Sequence, residues 1–311
     1  MVNKRNGLLE IYRFLLAFMP LYYHNFFYLK RNYEIFEVPE LAVDFFFMIS
    51  GFFLIRSMRK LKEEKAFAGM WKIMFGRIKP MMFTMGFIIT FNLVCVILFI
   101  RGNYLNTLFR LFMYWWFVLY LVVAIGILYL VYRLLKNEKY FAVFLAILSV
   151  VMAIIHYSVV EHGKLFPEMV FFTRTLGCTS VGILLSYIPA LRYKKFNFGI
   201  PAVIILLPTI LYLYYNDKNF IMCLVIIALF AALIYFSSSI SVGGGVFDIL
   251  GKLSVRMYLY MALCRMFRML GVDDNRILFF IDIGAAITDL TVTYLVQRYK
   301  KSKVKKKCLS N

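Results

Sequence analysis

Acidic residues are scarce in this chain. Sixteen Asp and Glu face 36 Lys and Arg, for a formal charge of +20. Such a balance invites a nucleic-acid reading, but the placement of the basic residues argues against one. When the connections between apolar runs are assigned alternately to two sides, about 24 Lys and Arg fall on the side of the N-terminus and about 10 on the other. That is the bias of cytoplasmic over external loops. Cysteine is also sparse. Cys95, Cys178, Cys223, Cys264 and Cys308 are scattered, mostly inside apolar runs. Their spacing suggests neither a disulfide framework nor zinc, and no metal is expected. No polar stretch leaves room for an appended soluble domain, and no internal repeat is evident. The apolar and polar alternation of a β-barrel is missing too. The first apolar run is long, carries charge and lacks a small-residue cleavage site, so it reads as a retained helix.

What is abundant is apolar residue: 63% of the 311 positions, with a mean hydropathy of +0.78. Apolar runs of about 17 to 23 residues recur from end to end, the length that crosses ~30 Å of hydrocarbon. The expected fold is all-α and polytopic, with about ten transmembrane helices in one bundle. The runs lie near 8–28, 39–57, 81–100, 111–132, 140–159, 169–190, 198–215, 219–236, 253–271 and 277–296. An even number puts both termini on one side, and the basic residues make that side cytoplasmic. Residues 1–299 form the membrane domain. Residues 300–311 form a basic cytoplasmic tail, in which Lys300, Lys301, Lys303, Lys305, Lys306 and Lys307 suit anionic lipid.

Between the second and third runs, Phe67, Met70, Trp71, Met74, Phe75 and Ile78 follow helical spacing on one face. Lys72 and Lys79 lie opposite, and Arg77 falls at the border. The pattern predicts a helix lying in the cytoplasmic interface. His156 to Glu168 reads as a polar external connector, and Ser237 to Gly245 as a small-residue cytoplasmic hinge.

The chemistry is concentrated in the first run. Arg13 and His24 are eleven residues apart, three turns plus roughly 20°, so they share a helix face about 16 Å apart in height. Ionisable groups at membrane depth are costly and mark function. A neutral imidazole at His24 can take a proton from a hydroxyl near pH 7. The plainer reading is a histidine satisfied by a backbone carbonyl, but Arg13 on the same face favours a role. Asp44, entering the second run, matches His24 in depth and could orient its ring; an interfacial aspartate in water is the other reading. Arg13, with Glu10 one turn before it, is either a snorkelling arginine with a local partner or a phosphate clamp shared with Arg77 and Lys79. Asp282 and Asp289 share a face of the last run. Arg174 and Arg256 are their candidate counter-ions, in structural pairs.

These residues resemble the acyltransferase family 3 membrane proteins, which O-acylate envelope polysaccharides and related glycans. Arg13 and His24 match the family's Arg-x10-His spacing, with Glu10 where many members have Asp. Asp44-Phe-Phe-Phe-Met-Ile-Ser50-Gly51-Phe-Phe-Leu54 is similar to its DxFFxxSGFLL segment. Phe75-Gly-Arg77-Ile-Lys-Pro80 resembles its RxxRxxP block, with Gly76 and Lys79 departing from arginine. Trp116-Phe117 resembles its fourth-span aromatic pair. Leu250-Gly-Lys-Leu-Ser254-Val-Arg-Met-Tyr258-Leu259 is similar to a late LGxxSxxxYLxH block, with Met261 in place of the histidine.

The resemblance implies an O-acyltransferase of the bacterial plasma membrane with ten core helices. It implies acyl-CoA, acetyl-CoA above all, as donor and a glycan or lipid-linked saccharide as acceptor. Its catalytic residues would be His24 and Asp44, with Arg13, Arg77 and Lys79 on the donor and Glu10, Ser50, Gly51 and Tyr258 in support. A flippase of a lipid-linked saccharide is the alternative, although no inverted repeat or paired broken helices appear. A glycan polymerase would carry a large external loop, and none is present.

Overall fold

The computed structural model describes residues 6–26, 39–99, 116–162, 167–189, 206, 208–210, 220–239 and 244–309. Among them there are helices and turns and no strand. We number the helices α1 Gly7–Phe26, α2 Pro39–Phe52, α3 Leu54–Lys60, α4 Ala66–Ile78, α5 Met82–Phe99, α6 Trp116–Leu135, α7 Glu138–His162, α8 Pro167–Leu185, α9 Phe220–Ser239, α10 Gly245–Met269 and α11 Asn275–Leu309. Among the described residues, four stretches are long and apolar enough to cross a membrane: Met82–Phe99, Phe117–Leu135, Glu138–His156 and Asn275–Tyr299. Phe171–Leu185 and Leu224–Ser238 are shorter apolar helices. The run at 198–215 lies mostly outside the described residues.

Local chemistry sets the helix ends. Asn6 caps α1, its Oδ1 accepting from the backbone N–H of Leu8 at 3.1 Å. Pro39 and Pro167 open α2 and α8, at the position where a helix needs no N–H from its residue. The turn from α10 to α11 is tightly specified. Gly271 adopts φ +88, and the N–H of Val272 reaches back to the Phe267 carbonyl at 2.9 Å. Asp274 then caps α11 by accepting from Arg276 N–H at 2.8 Å.

Two expectations change here. The connector read at 156–168 is largely helical, because no Gly or Pro interrupts residues 156–162 and α7 runs on to His162. The apolar face of α4 is also divided. Ile73 is buried and Met70 and Met74 pack inward, while Phe67, Trp71 and Phe75 are exposed along one stripe. The inward edge meets α6, where a Cβ on Gly69 would lie 2.0 Å from the Tyr129 hydroxyl. Arg133 of α6 closes the α3 end. Its Nη1 donates to the carbonyls of Leu61 at 3.1 Å and Glu64 at 2.6 Å, a cation on orphan helix carbonyls.

Among the described residues the core has, besides a small cluster at Cys95, Val96 and Met266, two large parts. One gathers α1, α2, α9 and α10 around Leu16, Phe45, Phe230 and Met257. The other gathers α3, α4, α6 and α7 around Met58, Ile73, Tyr129 and Phe141. Helix α8 joins them, giving Cys178 and Leu185 to the first and Leu176 and Ile183 to the second. Its hydroxyls fold back onto its own carbonyls, Thr175 to Phe171 at 2.7 Å and Ser180 to Leu176 at 2.7 Å. Helix α7 lines the perimeter, with 11% of its apolar window buried; the remainder suits lipid.

Helices α2 and α8 touch backbone to backbone. A Cβ on Gly51 would stand 2.1 Å from the Thr179 carbonyl oxygen, and one on Gly182 would stand 2.0 Å from that of Met48. Small residues allow such approach where hydrocarbon offers no hydrophobic drive for helix association. Gly51→Ala is therefore expected to force the pair apart and cost about 1–3 kcal/mol, read as a lower thermal midpoint of the purified protein in detergent.

Candidate functional site

Helix α1 is continuous, so the step from Arg13 to His24 is a rise of about 16 Å along one element. Pro20 lies between them. Its nitrogen has no hydrogen to give to the Leu16 carbonyl, which loosens the helix ladder at that level.

At the N-terminal end, Arg13 Nη1 donates to Glu10 Oε2 at 2.9 Å. Glu10 is 5% exposed, so the pair is anchored in the bundle and does not dangle in solvent. Helix α10 makes the room for it. A Cβ on Gly251 would lie 1.7 Å from Glu10 Oε2. The Leu250–Ser254 segment is thus the wall against which the Glu10 carboxylate rests. Arg77, half-buried in the last turn of α4, acts on the same place. Burial, and then the positive charge of Arg13, push the Arg77 guanidinium below its ordinary value. Arg77 thus adds a second guanidinium near the Glu10–Arg13 pair. Lys79 is exposed at the end of α4. This arrangement is able to hold a phosphate-bearing group.

At the other end, His24 is half-buried and its Nδ1 is sealed from solvent. Tyr23 lies edge-on to it, with ring centroids 5.5 Å apart. Asp44 sits six residues into α2, but its hydrogen bonds do not run to His24. Arg174 of α8 donates from Nε to Oδ1 at 2.5 Å and from Nη2 to Oδ2 at 2.8 Å, and Cys178 Sγ reaches Oδ1 at 3.5 Å. This bidentate pair also corrects the assignment of Arg174 to the last span. Helix α8 packs on α2, α6 and α7, which brings its guanidinium to Asp44. The signal in the sequence was the four-residue spacing of Arg174 and Cys178, which places them on one face.

The other expected pairing holds. Arg256 Nε approaches Asp289 Oδ2 at 3.2 Å. Asp289 also accepts from Thr293 at 3.1 Å and from the Thr84 hydroxyl. Asp282 is different: it is fully buried and accepts from Asn25 Nδ2 at 2.9 Å. Asn25, the neighbour of His24, went unnoticed because a lone asparagine in an apolar run carries no spacing signal.

The supporting residues are spread around the Asp44 pair. Tyr258 is buried between Phe117, 4.1 Å away between ring centroids, and Phe46, 5.7 Å away. It feels the charges of both Arg174 and Asp44. Trp116 opens α6 one residue earlier. Gly51 is the α8 contact already described, with half-buried Ser50 beside it. Met261 is buried at 3% exposure, so that position is a packing position in this chain.

Arg174→Met leaves Asp44 as an uncompensated charge and is expected to cost about 3–5 kcal/mol, most of it recovered when Asp44→Leu is added. Thermal unfolding of the four proteins of this cycle measures the coupling. Comparisons with protein families, with curated proteins and with solved structures gave no match. What the site does is therefore argued from its own chemistry.

Proposed function

We propose that this protein is a membrane O-acyltransferase. It moves an acyl group, acetyl in the expected case, from cytoplasmic acyl-CoA to a hydroxyl of an extracytoplasmic polysaccharide or glycolipid. In this reading the chain crosses the plasma membrane ten times with both termini in the cytoplasm. The observation that carries the reading is the arrangement along α1: Arg13, beside Arg77, at one end and His24 about 16 Å higher on the same helix.

The phosphates of the donor dock against Arg13 and Arg77, with Lys79 at the rim. Its pantetheine arm, comparable in length with that rise, runs between the helices toward His24. The acceptor enters from the opposite face. His24 takes the hydroxyl proton as the oxygen attacks the thioester carbonyl. The tetrahedral intermediate collapses, the carbon–sulfur bond breaks, and the thiolate of CoA leaves and regains a proton. The products are an ester and free CoA. Asp44, held by Arg174, contributes by fixing α2 and α8 at the level of the reaction and by placing a compensated charge pair beside Tyr258.

The test follows a labelled acetyl group from acetyl-CoA onto glycan in vesicles. Wild-type protein is expected to label glycan, whereas a flippase would move glycan without modifying it. His24→Ala is expected to abolish the label in a correctly inserted protein; retained transfer would sink the assignment. Arg13→Ala is expected to raise KM for the donor and leave KM for the acceptor. Gly251→Ala should act in the same direction, with some loss of stability from disturbing the buried Glu10–Arg13 pair. Its Cβ displaces only the flexible end of Glu10, and with it the partner of Arg13.

A further inference from the structure

The last turn of α1 carries His24, and Pro20 loosens the helix just before it. Such a turn would rock unless something outside the helix held it. Two ties from other helices do so, a third closes the turn within α1, and all pass through or beside Asn25. The Asn25 amide donates to the Leu21 carbonyl at 2.9 Å, closing the turn on itself. The same amide donates to Asp282 Oδ2 of α11 at 2.9 Å. Arg268 of α10 donates from Nη2 to the Asn25 backbone carbonyl, one of the orphan carbonyls at the α1 end, where a cation is also favoured by the helix dipole. Arg268 is itself braced on Asn275 Oδ1 at 2.9 Å. The aromatic rings agree in direction: Phe26 meets Phe279 of α11 at 5.7 Å between centroids.

This cluster is an expensive way to pack three helices. Asn25 and Asp282 are both fully buried. Among the described residues, Asn25 Oδ1, Asp282 Oδ1 and Arg268 Nε are buried without a hydrogen-bond partner. A partly satisfied polar cluster is worse for stability than an apolar one of the same shape. Leucine at these positions would hold the helices better. What leucine would not supply is a directional bond that sets the rotation of the turn.

We propose that Asn25 and Asp282, completed by Arg268, are positioning residues that fix the turn beyond Pro20 and so the direction of the His24 imidazole. The inference rests on the reading of His24 as the proton acceptor and names the groups that aim it. None of the three touches the reacting atoms in this scheme. They act through α1.

Two readouts test it, one independent of catalysis. The first is the rate at which diethyl pyrocarbonate modifies His24, located by peptide mass spectrometry apart from His156 and His162. The second is acyl transfer by the full chain in vesicles. Asn25→Leu is expected to change the modification rate of His24. It is also expected to lower kcat by about 100-fold, the size that a displacement of about 1 Å produces, while leaving KM for acyl-CoA unchanged. The exchange N25D with D282N restores an amide–carboxylate contact between α1 and α11, but not the tie to the Leu21 carbonyl, and is expected to return part of both. Should Asn25→Leu fail to accumulate, Arg268→Gln removes the tie to the α1 carbonyl together with its brace on Asn275 and is read the same way.

An unchanged His24 modification rate in these variants, or an exchange that restores nothing in a folded protein, overturns the proposal. If His24 reactivity shifts and recovers as described while the wild type acylates nothing, the tie stands and the acyltransferase reading falls.

Discussion

Everything in this bundle depends on how closely two backbones can approach. Helices α2 and α8 meet at Gly51 and Gly182 with no space for a methyl group on either side. Helices α6 and α8 both contribute to each half of the core. Separating α8 from α2 would remove one of these two links. In hydrocarbon there is little hydrophobic force to reunite them, because lipid tails are as apolar as leucine. Packing at van der Waals distance and one ion pair must serve instead. The Asp44–Arg174 contact lies between the same two helices and is bidentate. A charge pair of this kind adds little net stability against an apolar substitute, but it permits one register and penalises others.

The treatment of charge follows one rule through the molecule. Each buried carboxylate is met by a group from a neighbouring turn or a neighbouring helix. Glu10 meets Arg13, Asp44 meets Arg174, Asp289 meets Arg256, and Asp282 meets an amide. Three of these contacts join different helices, so they act as keys for the packing of α1, α2, α8, α10 and α11. The excess of positive charge appears where Arg77 comes to Arg13. There the Arg13 charge acts on a second, partly buried guanidinium.

Much of this was legible in the sequence. The helical class followed from apolar runs whose length and lack of alternation left no other choice. The Glu10–Arg13 pair and the Arg256–Asp289 pair followed from spacing and from the cost of lone charges. The face shared by Arg13 and His24 followed from helix periodicity alone. What could not be read was anything that depends on which helix lies beside which. Arg174 reads from the sequence as a counter-ion of the last span, and only the packing of α8 on α2 gives it to Asp44. The α4 face looked uniform because periodicity does not say which edge meets α6, and the structure sends Ile73 and Met74 inward while Trp71 turns out. The role of Gly251 was likewise hidden. A glycine's function here is the side chain of another helix that occupies its space.

Helix α11 runs without a break from Asn275 to Leu309, through the segment read as a tail. Its apolar part ends at Tyr299. The remaining ten residues extend the same axis by about 15 Å, which exceeds a Debye length of about 8 Å at physiological ionic strength. A rod that prolongs a membrane span leads away from the bilayer instead of lying along it. The basic segment is therefore a backbone continuation of the last helix and not a separate element joined to it.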